Sequence, residues 1–186
     1  MRDVFHEQLD AVFDDLADIC HRVEVSVARA TEALLSGDAG LAESVISEDI
    51  EIDRARERVE DNAFSLLSLQ APVAGDLRVV VAALRMVSEL ERMGDLSVHV
   101  AKIARLRVPA IAVPDEIRPT VQRMAEIAED MVTRVAQIIL SRDVRAAIEL
   151  GRDDEIMDQL RRSSFTQLLS EDWGRSEEHT SELQSH

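Results

Sequence analysis

Two pairs of acids interrupt the apolar rows of this chain. In "ELERMGDL" (89–96), Glu91 and Asp95 stand one helical turn apart where leucines would be expected. Glu91 continues the series Leu77, Leu84, Glu91, Val98, whose seven-residue spacing marks the core side of a helix. In "VISEDIEID" (45–53), Asp49 and Asp53 flank Ile52 in the same manner. Carboxylates this near a core need compensation, because burying unpaired charge costs on the order of several kcal/mol. Three remedies are open: pairing with Arg54, Arg56 or Arg92, protonation of one member, or a bound cation. Four carboxylates offer only oxygen, which suits a hard ion such as ferric iron, Mn²⁺, Mg²⁺ or Ca²⁺. Zinc is less natural, since His99, one turn beyond Asp95, reads as a polar rim residue.

Other acids at the same spacing, such as Asp10, Asp14 and Asp18, Glu57 with Asp61, or Glu126 with Asp130, lie off the apolar rows and read as solvated surface. Other chemistry is sparse. There is no Glu-x-x-His of the kind used by diiron bundles, no glycine loop for phosphate, and no nucleophile beside an evident base. The expectation is a non-enzyme without an organic cofactor. Arg78, Arg85 and Arg92 form a basic row at seven-residue spacing beside the acids, open to an acidic partner or to phosphate, though a solvated salt-bridge face also fits.

The acids must be positioned by helices. Phe5, Leu9, Val12, Leu16, Ile19, Val23, Val27, Ala30 and Leu34 recur at three or four residues and predict a first helix over 3–36. Gly37 and Asp38 predict a left-handed cap followed by the N-cap of a second helix, which carries Leu41, Val45, Ile52, Val59, Leu66 and Leu69. "APVAGD" (71–76) predicts a tight turn with Asp76 capping a third helix that uses Leu77, Val81, Leu84, Val87, Val98 and Ala101. Short loops make neighbouring helices antiparallel, so residues 1–106 are expected to form a three-helix bundle. Residues 107–115, with two prolines in "VPAIAVPDE" (108–116), read as a linker. A fourth helix then carries Ile117, Val121, Met124, Ala128, Met131, Val135 and Ile138, and a fifth runs from the break at "SRD" (141–143) towards Trp173.

The two halves repeat. With Asp38 set against Asp143, Leu35, Ser36, Ala42, Asp49 and Asp53 fall on Leu140, Ser141, Ala147, Asp154 and Asp158. Helix break and carboxylate pair coincide, which composition alone does not produce. The fold expected is all-α, two tandem three-helix bundles, the second (116–173) lacking its last helix. Met124, Met131, Val135, Met157 and Leu160 should then present an apolar patch that a further helix would cover. Residues 174–186, "GRSEEHTSELQSH", have no apolar period and read like the translation of a sequencing adapter; they are expected to be a foreign, disordered tail.

A net charge of −16 disfavours nucleic acid as a partner. The lone Cys20, the polar start "MRDVFHEQLD" and the shortness of the longest apolar run, "VVVAAL" (79–84), give the expectation of a cytoplasmic protein that meets membranes only through partners.

"ATEALLSGD" (30–38), "VISEDIEID" (45–53), "LLSLQAPVAGDLR" (66–78) and "ELERMGDLSVHVAKIAR" (89–105) together resemble the PhoU family of phosphate-transport regulators, in its actinobacterial form, over residues 1 to about 173. The resemblance implies a homodimeric negative regulator of phosphate uptake and starvation signalling, acting on the phosphate ABC transporter and a phosphate-sensing histidine kinase. It also implies iron or another hard metal at the family's acidic motifs, which fall on Asp49 and Asp53, Glu91 and Asp95, and Asp154 and Asp158. The position of a fourth pair lies beyond the fifth helix, which leaves the second site incomplete. The alternatives are a carboxylate-bridged, metal-dependent bundle enzyme and a purely structural helical adaptor.

Overall fold

The computed structural model describes residues 2–70, 72 and 74–183, and the described residues fold as α-helices without strands. Six helical segments follow one another: α1 (Arg2–Ser36), α2 (Ala39–Glu48), α3 (Ile50–Gln70), α4 (Gly75–Arg107), α5 (Arg118–Ser141) and α6 (Val144–Leu183). The all-α expectation holds.

α1 is the axis. Its row Phe5, Leu9, Val12, Leu16, Ile19 and Val23 is buried as its period predicts, and α3, α4 and α5 all pack around it. Burying each such aliphatic side chain contributes about 1.5–3 kcal/mol. α3 adds Ile52, Val59 and Leu66, and α4 adds Val80, Ala83, Val87 and Leu90. A smaller cluster of Ala30, Ala33, Ala42, Val45, Ala101 and Ala104 joins the C-terminal ends of α1 and α4 to α2. Alanine there lets the backbones approach.

The breaks form as expected at one point and differently at another. Gly37 takes a left-handed φ of 74°, and the Asp38 carboxylate accepts the Leu41 N–H at 2.9 Å, capping α2. α4 instead starts at Gly75 behind Ala74, which has no side-chain cap, so Asp76 lies in the first turn rather than at the cap. Residues 71 and 73 of that turn lie outside the described residues. The second helix, expected in one piece, is two. α2 and α3 meet at Asp49, which keeps helical angles while the Ile52 N–H bonds its carbonyl at 2.8 Å, a tightened turn within the ladder.

The chain divides at 107–115, yet packing crosses that division. Val132 and Ile139 of α5 sit in the same buried cluster as the α1 row. α5 lies antiparallel to α1 and is held at both ends by arginine. At its start, the Arg118 guanidinium donates to the Leu35 carbonyl. At its end, Arg142 pairs with Asp10 and lies over the Phe13 ring, 4.6 Å from its centroid. Among the described residues, α6 packs on α5 alone. Met124, Met131, Val135, Met157 and Leu160 are half-buried, Val135 against the core cluster around α1, and the expected patch does not form from them. Among the described residues, Val144, Ile148, Ile156, Phe165 and Leu169 of α6 are exposed, and Ile156 lines a cavity with Arg123, Ile127 and Arg134 of α5.

The stretch 174–186, expected to lack structure, continues α6 as far as Leu183; residues 184–186 lie outside the described residues. Its Glu, Ser and Leu residues are compatible with helix, and an interior glycine costs only about 1 kcal/mol relative to alanine.

Candidate cation site at the α3–α4 contact

The contact turns on a glycine that the sequence reading passed over. Gly94 lies between Glu91 and Asp95 on α4 and is buried. A Cβ there would stand 3.0 Å from Ile52 Cδ1 and 3.3 Å from Asp49 Oδ1. The missing side chain therefore lets the α2–α3 junction close onto α4, and it seats the Asp49 carboxylate against the gap between Glu91 and Asp95. A glycine flanked by two acids on a helix that is elsewhere well packed was the available signal.

Glu91 is half-buried and Asp95 exposed, so neither lies on the core line. The seven-residue series explains why. An α-helix advances 3.6 residues per turn, so a strict heptad drifts by about 20° at each step. Leu77 starts on the exposed side at 41 % and Val98 ends buried at 6 %, with Glu91 on the shoulder between them. Asp53 is likewise half-buried, one turn along α3 from Asp49.

The four acids form one electrostatic group. The Asp49 carboxyl is pushed above its ordinary range by burial first, then by the charges of Asp53, Asp95 and Glu91, against a smaller opposing effect of Lys102. No arginine neutralises them among the described residues. Arg92 turns to Glu89 at 3.0 Å, Arg54 to Glu51 at 2.6 Å, and Arg56 to both oxygens of Glu60 at 3.0 Å. The Arg56 guanidinium, whose burial would lower its pKa, is raised by Glu60 and then by Glu91 and Asp53, which makes it a neighbour of the group rather than its counter-ion. Arg54, Arg56 and Arg92 therefore do not pair directly with these acids.

The acids lie within charge–charge range rather than at coordinating distances: no three His, Cys, Asp or Glu side chains among the described residues converge as a metal cage. His99 stands at the rim, its Nδ1 2.8 Å from the Asp95 carbonyl. On the other side of the junction, a cavity of about 450 Å³ opens between α1 and α2–α3, lined by Asp18, His21, Arg22, Arg29, Glu48 and Asp49 among others.

The third pair has different surroundings. Asp154 is exposed, and Asp158 is held by Arg161 at 3.0 Å and approached by Arg162 at 3.9 Å. No helix faces α6 on its far side among the described residues, so this pair is not brought to the other four.

Among the described residues, no helix is long and apolar enough to cross a membrane. A family profile described as the PhoU domain matches residues 16–104 and 121–184, one stretch on each side of the linker. The chain is 42 % identical over 173 residues to the phosphate-specific transport system accessory protein PhoU homolog 2 of Mycobacterium tuberculosis, covering 93 % of this chain and 81 % of that protein. It is 40 % identical to PhoU homolog 1 of Mycobacterium leprae over 93 % of this chain and 78 % of that one. Its fold is similar to the crystal structure of the phosphate transport system regulatory protein PhoU from Streptococcus pneumoniae, with a TM-score of 0.77 and 26 % identity across 86 % of this chain and 74 % of the other. Helical architecture and this breadth of similarity agree: the chain belongs to the PhoU family.

Proposed function

We propose that this protein is a cytoplasmic, non-catalytic negative regulator of phosphate uptake and of the phosphate-starvation response. It would act by contacting the phosphate ABC transporter and its sensor kinase, as a homodimer. The observation that carries the reading is the match at about two-fifths identity to mycobacterial accessory proteins of phosphate-specific transport, over nearly the whole chain. The site chemistry agrees with it: acids gathered without a nucleophile suit a charge-sensing or ion-binding surface better than turnover. Deletion of the gene in its host should raise expression of phosphate-starvation genes and phosphate uptake in phosphate-rich medium. Continued repression in the deletion strain would sink the regulatory reading.

Within that reading, Asp49, Asp53, Glu91 and Asp95 hold a hard cation such as iron, manganese or magnesium. The uncompensated carboxylates and the raised Asp49 carboxyl favour it, since a cation relieves their repulsion at once. Asp154 and Asp158 stand outside this site, with Asp158 already matched by Arg161. Metal content should fall by at least half in Asp53→Asn/Asp95→Asn and stay unchanged in Asp158→Asn; equal content in wild type and the double variant would remove the site.

A further inference from the structure

α4 carries a second apolar row on the side away from the core. Its buried residues run Val80, Ala83, Val87, Leu90, Gly94, Val98 and Ala101. Steps of about 100° per residue place Arg78, Arg85, Arg92, Leu96 and Ile103 along the opposite line. Leu96 is 65 % exposed, Ile103 51 % and Leu106 79 %, with Leu77 and Val81 beside the arginines at 41 % and 37 %. Neither α5 nor α6 touches α4, so nothing among the described residues covers this face.

Its charge is unusual for the molecule. In a chain of net charge −16, Arg78 and Arg85 stand on this face without an ion pair among the described residues, while Arg92 is matched to Glu89 at 3.0 Å. α3 pairs Arg54 and Arg56 but leaves Arg58 unpaired among the described residues, so what sets the α4 face apart is the alignment of its arginines with exposed apolar side chains. Unneutralised arginines interleaved with exposed leucine, valine and isoleucine suit a counter-helix of opposite pattern, with acids at one-turn or two-turn spacing and an apolar seam between them. The remaining negative charge does not prevent this approach, because screening acts within about 8 Å at physiological ionic strength.

From this charge complementarity we propose that the outer face of α4 is the docking surface for an acidic amphipathic helix of a partner protein. The face extends for roughly 40 Å at 1.5 Å rise per residue, enough for several turns of that helix. The proposal rests on the reading of the chain as a partner-binding regulator, and it adds where the partner sits and what its chemistry is.

The test places a photo-cross-linking residue at Ser88 or Leu96 of the full chain in its host, with Glu57 on α3 as a control position, and maps the adducts by mass spectrometry. Adducts at 88 and 96 should fall on a protein segment with acids at helical spacing. They should drop at least tenfold in Arg78→Glu/Arg85→Glu and persist in Arg78→Lys/Arg85→Lys, with both variants matching the wild type in helical content. Adducts no stronger than at Glu57 overturn the proposal. So do adducts on phospholipid, on a second copy of this chain or on a basic segment, and so does an adduct level indifferent to charge reversal. If the acidic segment belongs to a protein outside phosphate transport, the docking surface stands and the proposed function falls.

Discussion

The two copies of the acid pair experience different fields. Asp49 and Asp53 face α4 across a contact that Gly94 keeps closed, and there each added carboxylate raises the cost of ionising Asp49. Asp154 and Asp158 sit on α6, which has α5 on one side and no helix on the other among the described residues, and Asp158 is matched by Arg161 at 3.0 Å. The same two residue types at the same spacing therefore do opposite things. One pair gathers uncompensated charge, and the other is an ordinary surface ion pair. Spacing sets which acids share a helix face, but a facing helix or a cation on the same helix sets whether they repel or pair.

The largest expected effect breaks the contact itself. Gly94→Leu forces a side chain into Ile52 and Asp49 and should destabilise by about 1–3 kcal/mol, as overpacking does. Gly151→Ala on α6 has nothing within 4 Å of the new Cβ and should stabilise by about 0.5–1 kcal/mol. Urea unfolding of both variants reads the two signs; a stable Gly94→Leu protein would mean that the helices do not need this approach.

A smaller effect compares the two helix starts that the repeat aligns. Asp38 accepts from Leu41 N at 2.9 Å, and Asp143 accepts from Arg145 N at 2.8 Å and Ala146 N at 3.2 Å. Replacing either by alanine should cost about 1 kcal/mol of thermal or urea stability. The residues before them differ: Gly37 takes the left-handed conformation freely, while Arg142 adopts it at φ 56° and is held there by Asp10 and Phe13. A near-zero effect at Asp143 would show that those Arg142 contacts alone keep α6 in place.

The smallest effect concerns charge. The folded-state pKa of Asp49 is raised, so the folded protein holds this proton more tightly than the unfolded chain, and stability from this group declines as pH rises through the carboxylate range. At neutral pH without metal, Asp49→Asn should therefore stabilise by a fraction of a kcal/mol after solvent screening, and the gain should vanish as pH is lowered through that range. Asp158→Asn should have the opposite sign at neutral pH, losing the Arg161 contact. Matched urea titrations with chelator at neutral and acidic pH check both; equal signs at neutral pH would erase the contrast between the copies.

Much of the fold was legible because helical period and capping chemistry are local. The α1 row and the Gly37–Asp38 break need no partner to be recognised, and the acid pairs stand out against the rows they interrupt. The start of the α4 core line was misplaced, since a heptad series drifts across a face; Leu77 and Val81 are exposed while Val80 and Ala83 are buried, although Val87, Val98 and Ala101 are buried as expected. The partners of the acids were also out of reach. Arg54, Arg56 and Arg92 each have several acids within side-chain reach, and only assembled backbones show that Glu51, Glu60 and Glu89 win.

By itself the sequence determined that this chain is helical, where most of its helices begin and end, and which acids stand one turn apart, because each of these depends on neighbours within a few residues. The tertiary structure alone decided that α5 packs on α1 across the linker, pinned by Arg118 and Arg142. It also decided that Gly94 is where α3 and α4 close, and that the Asp49 charge is penalised there. Those outcomes depend on contacts between residues tens of positions apart, whose energies exist only once the helices have docked.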